Sequence, residues 1–282
     1  PTGPACFLPL HAAGIYRGPD TECLDDYAIS SYIPTISSLL SKLQHPLTKN
    51  EYALSDSGLL IVTQPDAVGS LPALPGTISE ADKINRIAQF TKTPVLHLSK
   101  AYATPTSVLD AMEDYPCIHL ACHASQNTRE PLKSQFFLSS ANSFSVPLDL
   151  STIIKLQLKT ADLAFLSACQ TSMGDESVSE EVVHLAAGML SAGYRGVVAT
   201  MWSIQDKVAP VVAGSFYKEL IRRSNAVVIE AKEGVETKGT VGRLNGVHAA
   251  ASLRHAIRDL RKDMALEGAD FLAWVPYVHF GL

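Results

Sequence analysis

The sequence predicts an α/β fold with a mostly parallel central sheet and helices on both faces. Two observations carry this. Short apolar runs recur along the chain, and amphipathic stretches at helical spacing separate them. Strands that are apolar throughout belong to sheets buried on both sides, and strand–helix alternation is how parallel strands are connected.

Taken in order, residues 1–58 are the least regular part. Cys6-Phe7-Leu8 and the stretch 27–33 read as two extra strands, and Pro34 or Thr35 opens a helix to Leu43. The core runs over 59–223. Leu59-Leu60-Ile61-Val62 is a strand ended by Pro65. A helix follows over 77–91, with Ile78, Ala81, Ile84, Ile87 and Ala88 at helical spacing. Thr77 is its expected N-cap and Glu80 the matching capping-box acid. Strands at 94–98 and 117–122 flank a short helix at 106–115. A short extended piece at 136–138 precedes a helix at 148–156 and a strong strand at 163–168. A helix over 179–192 is ended by Gly193. A strand at 195–201 and a helix at 207–222 complete the core. Residues 224–247 hold four glycines, the basic residues Lys232, Lys238 and Arg243, and no aromatic. Such a stretch buries little surface and is expected to be a mobile loop open to cleavage, including by the protein itself. Residues 248–282 close the domain with a helix (249–266) and a strand (274–280). All 282 residues are read as one domain.

Composition removes several functions. Hydrophobic residues are 46% and charged residues 18%, below the roughly 25% charged share of an average soluble domain. Disorder is thereby excluded. A net charge of -5 argues against a nucleic-acid surface, which needs a basic excess. No apolar run approaches the roughly 18 residues of a membrane span. Five cysteines at 6, 23, 117, 122 and 169 are an odd number, three of them in apolar runs. Free thiols in a reducing compartment are expected, and the location is read as cytoplasmic. The chain opens on Pro1 with no leader and is expected to be a piece of a longer protein.

Two strand ends carry the chemistry: Cys117-Ile118-His119-Leu120-Ala121-Cys122-His123-Ala124 and Leu163-Ala164-Phe165-Leu166-Ser167-Ala168-Cys169-Gln170. Each apolar strand stops on a reactive side chain. In open parallel sheets, sites form at the carboxyl ends of strands. If the two strands are neighbours, His123 and Cys169 share one crevice. There the imidazole activates the thiol as a nucleophile and protonates the leaving amine. The backbone N–H groups of Ala124 and Cys169 are the candidate oxyanion hole. His119 is read as a buried, hydrogen-bonded histidine. Along a straight strand Cys117, His119 and His123 share a face while Cys122 does not, so no metal site is expected, and the chemistry needs no cofactor.

These strands, together with Pro9-Leu10-His11-Ala12-Ala13-Gly14, Ser31-Tyr32-Ile33-Pro34-Thr35, Glu181-Val182-Val183-His184-Leu185-Ala186-Ala187-Gly188, Thr200-Met201-Trp202-Ser203-Ile204-Gln205-Asp206 and Trp274-Val275-Pro276-Tyr277-Val278-His279-Phe280-Gly281, resemble the CHAT domain in its fungal form. That family comprises caspase-like and separase-like cysteine peptidase modules often attached to tetratricopeptide repeats. The resemblance implies a caspase-like α/β sandwich with His123 as general base and acid and Cys169 as nucleophile. It further implies a protein or peptide substrate and control by an upstream tetratricopeptide-repeat region. The segment 202–207 resembles the part of separases that receives an arginine before the scissile bond, which makes Asp206 the expected acid of the P1 pocket. The plainer role for Asp206 is to cap the helix starting at Lys207. One position departs from the family: Ala124 stands where caspase-like peptidases carry glycine. Two rival functions follow: an inactive interaction or signalling module on the same fold, and a small-molecule thiol hydrolase or transferase with a closed apolar pocket.

Overall fold

The computed structural model describes residues 8–16, 22–37, 39–40, 58–67, 71–127, 129–139, 145–167, 169–170, 181–230, 242–265 and 271–282. The central sheet has six strands. In spatial order they are β12 (Tyr277–Gly281), β11 (Gly196–Thr200), β9 (Leu163–Leu166), β5 (Cys117–Ala121), β3 (Leu59–Thr63) and β4 (Val95–Ser99). All neighbours are parallel except β12, which runs antiparallel to β11 at one edge.

Alternation along these strands divides the core in two. Leu60, Val62, Ile118, Leu120, Ala164, Leu166, Val197 and Ala199 face one side. They pack on helices α3 (Pro105–Asp114), α4 (Leu150–Lys155) and α5 (Glu181–Ala192), through Val108, Met112, Ile153, Ala186 and Met189. Leu59, Ile61, Cys117, Leu163, Phe165 and Val198 face the other side. They meet α2 (Gly76–Thr91), α6 (Ala209–Glu230) and α7 (Ala249–Ala265), through Ile84, Phe216, Tyr217, Leu253 and Ile257. Both faces being covered is why β3, β5 and β11 are buried at every residue and read as unbroken apolar runs.

A second sheet stands beyond the carboxyl ends of β5 and β9. Its order is β10 (Cys169–Gln170), β6 (His123–Ser125), β7 (Gln135–Ser139) and β8 (Ser145–Asp149). β6 follows β5 after one break residue, Cys122, and β10 begins at Cys169, three positions after the end of β9. β8 is a strand the sequence reading does not contain, and its last two residues fall where a helix is expected. It pairs only with β7, so Pro147 costs no ladder bond on the open side. The helix expected from 148 begins only at Leu150.

Other boundaries differ from the sequence reading for physical reasons. Helix α2 starts at Gly76, so Thr77 lies inside it and donates its hydroxyl to the Leu74 carbonyl instead of capping. Glu80 points into the core and caps nothing. Helix α6 runs on to Glu230, so the first part of the stretch read as a loop is helical. Residues 242–247 are tied down. Gly246 N–H donates to Asp162 Oδ2 at 2.6 Å and Asn245 N–H to Ser224 Oγ at 3.0 Å. Lys232 and Lys238 lie outside the described residues. Trp274 ends a short helix, α8 (Phe271–Trp274), and does not begin the last strand. The helical turn sets its ring 4.9 Å under the Arg261 guanidinium.

The N-terminal region forms a small hairpin, β1 (Gly14–Ile15) with β2 (Glu22–Cys23), then a turn of helix α1 (Leu24–Tyr27). Tyr27 is therefore helical where an extra strand was expected, and Cys6 and Phe7 lie outside the described residues. Beyond α1 the chain covers the edge strand β12. Tyr32 N–H donates to His279 O at 2.8 Å and Gly281 N–H to Tyr32 O at 2.9 Å. An exposed strand edge invites pairing with other chains, and this cover removes it. His11 reaches Val275 O at 2.9 Å and the Tyr32 hydroxyl at 2.8 Å.

His279 holds the same seam. The Ser31 hydroxyl donates to Gly281 O, so it accepts from His279 Nδ1 at 2.8 Å. Nε2 is then the unprotonated nitrogen, with no hydrogen-bond partner among the described residues. It faces Gly196, where an added Cβ would sit 2.8 Å from it. Burial pushes the His279 pKa down to about 4, and burial also lowers His11. Both histidines are held neutral when folded. The unfolded chain binds the protons first, so stability is whole above about pH 6.5 and is lost as pH falls toward about 4. The His279 shift is worth up to about 3 kcal/mol. Urea unfolding of the wild type and His279→Gln across this range checks it. The wild type should show the steeper loss.

Candidate active site

The catalytic candidates meet through strand register. In the central sheet Cys117 pairs with Leu163 and Leu120 with Leu166. After the breaks, His123 pairs with Cys169 and Ala124 with Gln170. The offset of 46 positions is the same on both sides of the breaks. Neighbouring strands lie about 4.8 Å apart, so the ladder sets the His123 and Cys169 positions side by side.

His123 is buried, at 1% exposure. Its Nε2 lies 2.7 Å from the Pro72 carbonyl oxygen. A carbonyl only accepts, so Nε2 carries the proton and Nδ1 is the basic nitrogen of the neutral ring. Among the described residues Nδ1 has no hydrogen-bond partner. The ring is thus oriented by a backbone oxygen and presents an unprotonated nitrogen. Pro72 was not singled out from the sequence. Its contribution is a main-chain atom, which leaves no side-chain signature.

Ala124 sits inside β6, between β10 and β7, pairing with Gln170 and Phe136. The non-glycine residues with positive φ are Lys92, Lys100 and Gln157 among those described. Ala124 is in ordinary extended backbone, so the methyl in place of a glycine hydrogen brings no conformational penalty.

Asp206 is half-buried beyond β11. Its Oδ2 accepts from Gly76 N–H at 2.7 Å, at the first turn of α2. It therefore caps a helix 130 residues earlier in the chain. The sequence reading had it capping the helix that follows. Gly76 has no room for a side chain, because an added Cβ would lie 2.3 Å from Asp206 Oδ1. Four residues before Gly76 is Pro72, so Asp206 anchors the lead-in that orients His123.

Beneath the site runs a buried polar chain. Ser167, in the break before β10, donates to Glu80 Oε2 at 3.0 Å. Glu80 Oε1 lies 3.2 Å from His119 Nε2, with both side chains at 1% exposure or less. His119 Nδ1 meets the Tyr217 hydroxyl at 3.2 Å, and its ring stacks on Phe165 at 4.9 Å. His119 is the buried, bonded histidine its strand position implied. Burial raises the Tyr217 hydroxyl well above its ordinary pKa, so it stays protonated. Burial does the same to the Cys117 thiol, which makes Cys117 an inert alternative to Cys169. Cys23, Cys117 and Cys122 are buried free thiols. No helix among the described residues is long and apolar enough to cross a membrane.

The family model described as "CHAT domain" matches residues 1–282. Among solved structures, the Arg-specific cysteine proteinase gingipain R (RgpB) matches with a TM-score of 0.52 at 12% identity, over 87% of this chain and 51% of that chain. The chain thus spans about half the length of that relative, and at this identity the likeness shows the fold alone. The complex of Porphyromonas gingivalis RgpB pro- and mature domains gives a TM-score of 0.48 at 10% identity, over 87% and 52% of the two chains. The Saccharomyces cerevisiae separase–securin complex gives 0.48 at 12% identity, over 89% and 14%. Comparison with curated proteins gives no match.

The Asp206 contact makes a stability prediction. Asp206→Ala removes the acceptor for an end-of-helix N–H and should cost about 1 kcal/mol. Asp206→Asn, which keeps an acceptor oxygen, should cost less. Urea midpoints at constant m-value measure both.

Proposed function

The chain belongs to the CHAT domain family, with a caspase-like cysteine peptidase fold, and from that premise we propose that it is a cysteine endopeptidase working through His123 and Cys169. The single observation that carries this reading is the ladder pairing of His123 with Cys169, with His123 Nε2 fixed on Pro72 O. In the reaction, His123 Nδ1 takes the Cys169 thiol proton. The thiolate adds to the scissile carbonyl, and the oxyanion is held by backbone N–H groups at the ends of the two strands. The imidazolium returns the proton to the departing amine. Water then enters, deprotonated by the same nitrogen, and releases the acid from the acyl-enzyme.

A basic residue before the scissile bond suits Asp206. This carboxylate is half-buried and next to the segment that orients His123, where a charge-assisted pair with arginine or lysine is strong. The bond from Gly76 occupies one of its oxygens and leaves lone pairs for a guanidinium. The family likeness adds control by an upstream tetratricopeptide-repeat region to this reading. His123 is at 1% exposure. This burial favours the second reading, a catalytically inactive interaction module on this fold. Three buried free thiols support a reducing compartment, the cytoplasm. The chemistry requires no cofactor or metal.

Cleavage of peptide libraries tests the reading. Cys169→Ala and His123→Ala should each abolish cleavage with the fold intact. Arginine or lysine should dominate at P1, and Asp206→Ala should lose that preference. Cleavage by Cys169→Ala would overturn the dyad. A preference for aspartate or a large apolar P1 would overturn only the pocket.

A further inference from the structure

We infer that Glu80 is a positioning residue for the nucleophile, acting through Ser167 to hold Cys169 in register with His123; the inference rests on the dyad reading above.

Among the described residues β10 comprises Cys169 and Gln170 and pairs with β6. Two positions before Cys169, Ser167 is held twice. Its N–H donates to Leu120 O at 2.9 Å, tying it to the histidine strand. Its hydroxyl donates to Glu80 Oε2 at 3.0 Å, tying it to α2. Glu80 is a carboxylate at 1% exposure, an expensive group to bury for shape alone. Its other oxygen faces His119, which is fixed in turn by Tyr217 on α6. Pro72, whose carbonyl orients His123, lies in the lead-in four residues before α2. Helix α2 and its lead-in thereby touch both catalytic strands, at His123 through Pro72 and at the break before Cys169 through Glu80.

The role is separable from fold maintenance. Glu80→Ala leaves the Ser167 hydroxyl without its acceptor and frees the break. Glu80→Gln keeps an oxygen for Ser167 and an amide N–H that His119 Nε2 accepts after a change of tautomer. Ser167→Ala removes the same tie from the other end.

The test is the rate of carbamidomethylation by iodoacetamide as a function of pH, mapped by mass spectrometry on the whole chain. It needs no substrate. A neighbouring imidazolium lowers a thiol's pKa, so wild-type Cys169 should react with a midpoint below the ~8.5 of an ordinary thiol. Glu80→Ala and Ser167→Ala should each slow Cys169 by at least about tenfold at pH 7 and move the midpoint up toward ~8.5. Glu80→Gln should stay within about threefold of wild type. Cys117 and Cys122 should remain protected throughout. Wild-type-like profiles in Glu80→Ala and Ser167→Ala would overturn the inference. So would slowing accompanied by exposure of Cys117 and Cys122, which means general loosening. If instead wild-type Cys169 reacts as an ordinary thiol and His123→Ala changes nothing, the dyad itself fails.

Discussion

The whole site hangs on one ladder offset. β5 and β9 are locked in register by a core that covers both their faces, and the register passes unchanged across two breaks into β6 and β10. A slip of one residue would turn every side chain of β9 to the opposite face, moving Phe165 out of its stack with His119. Core packing therefore fixes the alignment of His123 with Cys169 before any contact inside the site does. The site inherits its precision from apolar strands and needs only local ties to keep it past the breaks.

Those ties come mainly from one helix and its lead-in. Pro72, Gly76 and Glu80 lie within nine residues and reach His123, Asp206 and Ser167 in turn. Asp206 steadies the start of α2 from the far side of β11, so three strand ends are joined through one helix terminus. At the β12 edge of the sheet, next to β11, the N-terminal region makes a seal with Ser31, Tyr32 and two buried neutral histidines. That seam protects the edge of the sheet that carries the register.

The strand pattern was legible because double burial makes the strands apolar throughout, and parallel α/β order follows from their alternation with helices. His123 and Cys169 were legible as reactive residues at the ends of such strands. Glu80 was misread because a buried carboxylate three residues after a threonine looks the same in sequence as a capping box. Only its contacts with Ser167 and His119 separate the two. Asp206 was placed correctly near a helix start but assigned to the adjacent helix, since sequence carries no sign of a cap supplied from 130 residues away. β8 was hidden by Pro147, which the open side of an edge strand tolerates. Pro72 acts through its carbonyl, which every residue has.

The central claim is that Cys169 and His123 form one reactive pair. An acyl-arginine chloromethyl ketone, followed by mapping of the alkylated residue in the wild type and in His123→Ala, measures this most directly. The account predicts label on Cys169 in the wild type and its loss in His123→Ala. Label on Cys122, or equal labelling of Cys169 with and without the histidine, would contradict it.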